Sequence, residues 1–238
     1  METTRKVAAV MAVTGALMLS GCPSAELAPC QTLPSVQGGY VVKLVRQGPA
    51  PAGCTDAETP AEFSDVWAFD TVTDRNIVGS SVALPLPDTG PIPQNRLFQG
   101  QFTQERSDAN NSCTIPALST ISDTVGGAVL SYKVTDMTFL SGAAYQGAEF
   151  KAVVVFTRGT CAATYDALAL SPAVACQTNH DCDPFKTPFS SGIFSVFDQG
   201  CHLAANEPWT AGAVAFLGNA PGVCFLNQAY PSLGKFTP

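Results

Sequence analysis

The chain has 238 residues, of which 46% are apolar and only 13% charged, and its formal net charge is −7. That is enough apolar material to bury a core, which excludes a disordered polyelectrolyte. The acidic balance argues against nucleic acid as a partner, because phosphates select basic patches.

The N-terminus divides into zones. Arg5 and Lys6 make a short positive region, partly offset by Glu2, and Val7 to Leu19 is apolar apart from Thr14 and Gly15. About 13 helical residues reach roughly 20 Å, short of the roughly 30 Å hydrocarbon core, so the run fits a signal-peptide core better than a spanning helix. It ends Leu19-Ser20-Gly21-Cys22. These four residues resemble the lipobox of bacterial lipoproteins: an aliphatic residue, two small ones, then a cysteine.

The resemblance implies cleavage between Gly21 and Cys22, a diacylglycerol on the Cys22 sulfur, and a further acyl chain on the new amino terminus. Each buried CH₂ contributes about 0.8 kcal/mol, so two or three chains hold a domain at a membrane without a spanning helix. Pro23, where Asp would imply retention at the inner membrane, favours the outer membrane. The expected organisation is a signal over 1–21, a short tether over 22–29, and a single domain over 30–238. Loss of Arg5, Lys6 and Glu2, which carry +1, leaves the mature part at −8. That sign speaks against a second, electrostatic attachment to anionic lipid.

Nine cysteines stand at 22, 30, 54, 113, 161, 176, 182, 201 and 224. An odd number in an exported protein leaves one sulfur to explain, and lipidation of Cys22 accounts for it. The other eight, Cys30, Cys54, Cys113, Cys161, Cys176, Cys182, Cys201 and Cys224, suit up to four disulfides in an oxidising compartment. Connectivity does not follow from sequence. The preferred pairs are those near in sequence: Cys30 with Cys54, Cys113 with Cys161, Cys176 with Cys182, and Cys201 with Cys224. The residues Thr178-Asn179-His180-Asp181 predict a tight polar turn inside the third.

From there the chain reads mainly as short strands. Tyr40 to Val45 alternates with one apolar face. At Thr59-Pro60-Ala61-Glu62 the capping-box spacing predicts a helix, cut to about one turn by the apolar run Val66 to Phe69. Two proline-rich loops, Gly48 to Gly53 and Pro85 to Pro93, interrupt the pattern. Further strands are expected over Ile77 to Leu84 and Arg96 to Phe102. Ala128 to Thr135 alternates, then slips phase at Asp136, which predicts a bulge or turn there. Phe150 to Phe156 is apolar on both sides and reads as a central strand. Ala162 to Leu170 fits a helix or a strand equally. Ile193 to Phe197, Ala213 to Leu217 and Val223 to Leu226 complete the strands. The sum is a mainly β fold, a disulfide-braced sandwich or irregular barrel with one or two short helices.

Few residues suggest chemistry. Zinc would use His180, Cys182, Cys201 and His202, but paired CxxC knuckles are absent and exported thiols favour disulfides. Asn179, Asp181 and Asp183 alternate like the start of a calcium loop, yet Pro184 and Ser190 stand where Gly and Glu are needed. Asp198 and His202 lack a GxSxG serine. Asp70, Asp136 and Glu149 could pair as glycosidase carboxylates, although nothing selects them from other surface acids. Trp67 reads as core, and Trp209 as packing or as a platform for sugar or peptide.

No cofactor is expected, and catalytic and metal residues stay unassigned. The leading expectation is a non-catalytic binding or structural module held near a membrane by lipid. An envelope hydrolase acting on polysaccharide or peptidoglycan, and a metal- or carbohydrate-capturing lipoprotein, remain as alternatives.

Overall fold

The computed structural model describes residues 27–73, 75–84, 87, 92–187 and 190–231. Cys22, the signal and the first part of the tether lie outside the described residues, as does most of the loop from Pro85 to Pro93. Twelve strands are present among them: β1 (Tyr40–Arg46), β2 (Glu62–Thr73), β3 (Asn76–Ser81), β4 (Phe98–Gln101), β5 (Ser112–Ala117), β6 (Ile121–Val125), β7 (Ala128–Leu140), β8 (Glu149–Arg158), β9 (Cys161–Leu170), β10 (Ala175–Cys176), β11 (Gln199–Leu203) and β12 (Gly222–Leu226). One helix, α1 (Ala211–Phe216), accompanies them with four 3-10 turns. The fold is mainly β, as expected.

Nine strands form one antiparallel sheet in the order β4-β3-β2-β1-β9-β8-β7-β5, and β6 pairs with β7 beside β5. The first and last strands in sequence are therefore neighbours, which curls the meander into a nearly closed barrel. Its seam is drawn together by Thr103 N–H donating to Thr114 O at 2.9 Å and Ser119 N–H donating to Gln99 O at 2.8 Å. About eight strands enclose a space that side chains can just fill. Here aromatic rings fill it. Trp67, fully buried, lies 5.0 Å from Phe98, 5.6 Å from Tyr132 and 6.1 Å from Phe150 by ring centroid. Tyr40 and Phe139 continue the stack toward one end, with centroids 6.1 Å apart.

That end is closed by residues 27–39, which cross it before entering β1. Cys30 N–H donates to Glu105 O at 2.8 Å, and Ser141 Oγ donates to Pro29 O at 2.9 Å. On the far side Ser35 donates from both N–H and Oγ to the Asp70 carboxylate, at 2.8 and 2.7 Å. We call this the plugged end.

Several strands stand where alternation placed them. The phase slip at Asp136 is a bulge: the β7–β8 register shifts between Thr135 and Thr138, and Asp136 has φ of 52°. β8 lies between β7 and β9, at the centre of the sheet's second half. The ambiguous segment Ala162 to Leu170 is strand, part of β9, with alternate residues buried.

Other expectations are corrected. The capping-box helix at Thr59 is absent; β2 starts at Glu62 because Phe63 to Phe69 gains two strand partners that one helical turn cannot offer. A turn of that type forms four residues earlier, where Thr55 N–H and Oγ1 donate to Glu58 at 2.8 and 2.9 Å. Ala213 to Leu217 is helix rather than strand, following Pro208 at the start of a 3-10 turn. Ile193 to Phe197 forms turns, with Ile193 and Phe197 buried as anchors.

All eight expected cysteines are bonded, but to other partners: Cys30–Cys113, Cys54–Cys161, Cys176–Cys201 and Cys182–Cys224. Pairs near in sequence close small loops, but strand pairing decides which sulfurs can meet. The first bridge joins the plug to the start of β5, and the second joins the β1–β2 loop to the start of β9. The other two knit residues 173–230 into a lobe around the small sheet β10-β12-β11.

The lobe lies on the barrel's outer wall. Gly212 in α1 approaches β2 so closely that an added Cβ would stand 2.0 Å from Ser64 O. Ala213 N–H donates to Ser64 Oγ at 3.0 Å, which pins α1 there.

Candidate functional site

The lobe and the barrel wall leave a groove of about 650 Å³ between them. Its floor is the outer face of β1, β9 and β8. Because outward residues alternate, the register assembles two rows on that floor. One runs Lys43, Leu168, Lys151, and the next runs Val45, Asp166, Val153. The ammonium-bearing strands are two spacings apart, so Lys43 and Lys151 stand roughly 10 Å from each other across Leu168.

The lobe supplies the wall: His202 from β11, Trp209 from the 3-10 turn Pro208–Thr210, Phe225 and Leu226 from β12, and then Tyr230. Each lysine meets one of its rings. Lys43 Nζ lies 4.6 Å from the Trp209 ring centroid, and Lys151 Nζ lies 4.9 Å from that of Tyr230. Such contacts contribute about 0.5–2 kcal/mol when partly desolvated. Lys43 also pairs with Glu62 at 3.2 Å, whereas no ion pair of Lys151 is present among the described residues. Burial pushes the Tyr230 hydroxyl up to about 12, so the ring stays neutral beneath that cation.

Glu207 organises the wall. It accepts from Trp209 Nε1–H at 2.7 Å and from His202 Nδ1–H at 2.9 Å. Burial acts to raise its carboxyl, but the His202 and Trp209 hydrogen bonds outweigh that and hold it below the ordinary carboxylate value. With Nδ1 engaged, His202 Nε2 is buried and finds no partner among the described residues. Among the described residues, the groove lining holds no serine, threonine or cysteine beside that imidazole.

The chemistry weighed from sequence is distributed elsewhere. Cys182 and Cys201 are in disulfides, so neither is a thiolate and the four-ligand zinc set is broken. The one cluster of potential metal donors among the described residues, Cys176, Cys182 and Cys224, consists of disulfide sulfurs within 4.8 Å. The calcium-like acids are spent on local structure. Asp181 accepts from the Gln177 and Thr178 N–H groups at 2.9 and 3.0 Å and pairs with Lys186. Asp183 accepts from Phe185 N–H at 2.8 Å, and Asn179 Oδ1 from Cys201 N–H at 2.8 Å.

The two histidines are separated: His180 lines a different, polar recess with Asp198, away from the groove that His202 lines. The three carboxylates do not converge. Asp70 holds Ser35 at the plugged end, Asp136 lies on the rim of the groove, and Glu149 is buried at the start of β8. Trp67 is core, and Trp209 is packed, only 6% exposed, and lines the groove.

Comparison with known proteins adds one relation. A family model described as MlpA matches residues 43–172, more than half of the chain. The chain belongs to the MlpA family. No curated protein and no solved structure matches it. The MlpA match starts in β1 and stops just past β9, so it covers the barrel and ends before the disulfide lobe. The groove therefore has a floor inside the MlpA region and a wall outside it.

Neither Lys43, Lys151 nor Tyr230 stood out in the sequence. Lys43 shares its strand face with Val41 and Val45, and Lys151 shares its own with Val153 and Val155. Their placement in one row needs the β1–β9–β8 register, which no local pattern encodes.

Proposed function

We propose that the protein is a lipid-anchored, non-catalytic binding module of a bacterial cell envelope, with its ligand seat in the groove between barrel and lobe. The lipobox ending at Cys22 supports the anchor, and Pro23 favours the outer membrane. The pairing of the other eight cysteines fits that reading, because it leaves Cys22 as the one cysteine outside the four bridges.

The observation that carries the binding reading is the row Lys43, Leu168, Lys151 facing Trp209 and Tyr230. Aromatic side chains occupy the barrel's axis, so a ligand seat falls on the outside. The groove offers Leu168, Val45 and Val153 among the charged residues of its floor, the Trp209 and Tyr230 rings on its wall, and in Lys151 a cation whose only described partner is a ring. That set suits a ligand with an apolar body and one anionic group. Hydrolysis through a serine, threonine or cysteine finds less support, since none of these stands beside His202 among the described groove residues.

Trp209 reports on occupancy. Titration with decanoate should change its fluorescence, and decanol should bind about tenfold more weakly for want of the charge-assisted bond. Lys151→Gln should erase that difference, and Leu168→Arg should abolish binding of both. No fluorescence change with decanoate, or an undiminished preference in Lys151→Gln, would remove the groove from consideration.

A further inference from the structure

We infer that the plugged end of the barrel is a membrane-docking face, which sets Leu27, Val36 and Val72 against the lipid headgroup region. The inference rests on the lipid anchor proposed above and goes beyond it, because it fixes which surface meets the bilayer.

The first argument is reach. Four residues separate Cys22 from Leu27, so five Cα steps of at most about 3.6 Å keep Leu27 within about 18 Å of the acylated residue. Leu27 is not free to move off the fold. Its carbonyl accepts from Arg106 Nη1 at 2.9 Å, Pro29 bridges to Arg106 in β fashion, and Cys30 is bonded to Cys113. The lipid is thus tied by a short lead to one end of the barrel.

The second argument is what that end exposes. Leu27 is 44% exposed, Val36 90% and Val72 55%. Val36 follows the Ser35 that Asp70 holds, and Val72 is two residues beyond Asp70 on β2, so both sit on the rim that the plug crosses. The charges around this rim are mixed, with Arg75 and Arg106 against Asp70, Glu105 and Asp108. Apolar contact, not net charge, therefore favours the bilayer here. Three modest side chains add little affinity beside the acyl chains. Their effect is orientation, and it leaves the groove opening sideways, parallel to the membrane.

The test uses the processed, acylated protein in vesicles of phosphatidylethanolamine and phosphatidylglycerol that carry a photoactivatable headgroup lipid. After flotation and irradiation, adducts should concentrate in peptides containing Leu27, Val36 and Val72, and be scarce around Val129 at the opposite rim. Val36→Asp with Val72→Asp should lower the adduct yield several-fold while flotation persists. Adducts spread evenly, or richest near Val129, would overturn the docking face and leave the anchor standing. Protein that carries no acyl mass and fails to float would overturn both.

Discussion

Trp67 donates its indole N–H to Asp65, two residues earlier on the same strand, at 2.7 Å inside the barrel. The carboxylate also accepts from Val66 N–H at 2.8 Å, from Ala83 N–H at 3.3 Å, and from Ser81 Oγ. A buried acid is thus the hub that ties β2 to the chain after β3. Asp65→Ala strands these donors without water to replace the acceptor. Each orphaned buried donor costs about 1–3 kcal/mol, so a loss of about 3 kcal/mol or more is expected. Urea unfolding of the oxidised protein measures it. A change below about 1 kcal/mol would show that the cluster is not closed to solvent.

The same residue gives stability a pH dependence of unusual sign. Burial pushes the Asp65 carboxyl up, against hydrogen bonds from Ser81, Trp67, Val66 and Tyr132. A raised folded value means the native state keeps a proton that the unfolded chain releases. The Asp65 contribution is therefore fullest below the ordinary carboxylate value of about 3.9 and falls as pH climbs toward the raised one. Asp181 behaves oppositely. The Lys186 ammonium and the Gln177 and Thr178 N–H groups hold it well below the ordinary range. Its contribution is present above the ordinary value and is lost as pH falls. Urea midpoints measured over roughly pH 2 to 7 should lose their downward limb with rising pH in Asp65→Asn, and part of their acid limb in Lys186→Gln.

Gly212 sets how closely the lobe can sit. With a Cβ placed 2.0 Å from Ser64 O, Gly212→Ala must lift α1 from β2. A cost of about 1–3 kcal/mol is expected, confined to the lobe contact. Amide exchange should quicken in α1 and the adjacent turn, while β7 and β8 keep their protection. Equal loosening of both regions would contradict a barrel that stands independently of the lobe.

The bridges make a fourth prediction. Non-reducing peptide maps should give Cys30–Cys113, Cys54–Cys161, Cys176–Cys201 and Cys182–Cys224. The barrel bridge Cys54–Cys161 spans 107 residues, the lobe bridge Cys176–Cys201 only 25. Paired Cys→Ala changes should cost about 2–5 kcal/mol, more for the longer loop if unfolded-state entropy governs. Thermal unfolding of the two variants compares them.

Much of the barrel was legible because its strands alternate: Tyr40 to Val45, Ala128 to Thr135 and Phe150 to Phe156 carry their faces openly, and even the Asp136 bulge shows as a phase slip. β5 and β6 escaped because they are short and polar, with Pro116 inside the first. Cysteine participation was readable from number and compartment, whereas pairing depends on contacts 25 to 107 residues apart. The groove was illegible for the same reason. Its wall and floor come from segments that no local pattern brings together, and Trp209 gains its meaning only when Lys43 lies over it.

The anchor is the claim on which address and orientation both stand, and intact-mass analysis of the membrane-extracted protein, with its N-terminal peptide, addresses it directly. The account predicts that the mature chain begins at Cys22 with two or three acyl chains on that residue and no free thiol elsewhere. Cys22→Ser should leave the precursor unprocessed and unacylated. A mature chain starting at another residue, or a Cys22 recovered without lipid, would contradict it.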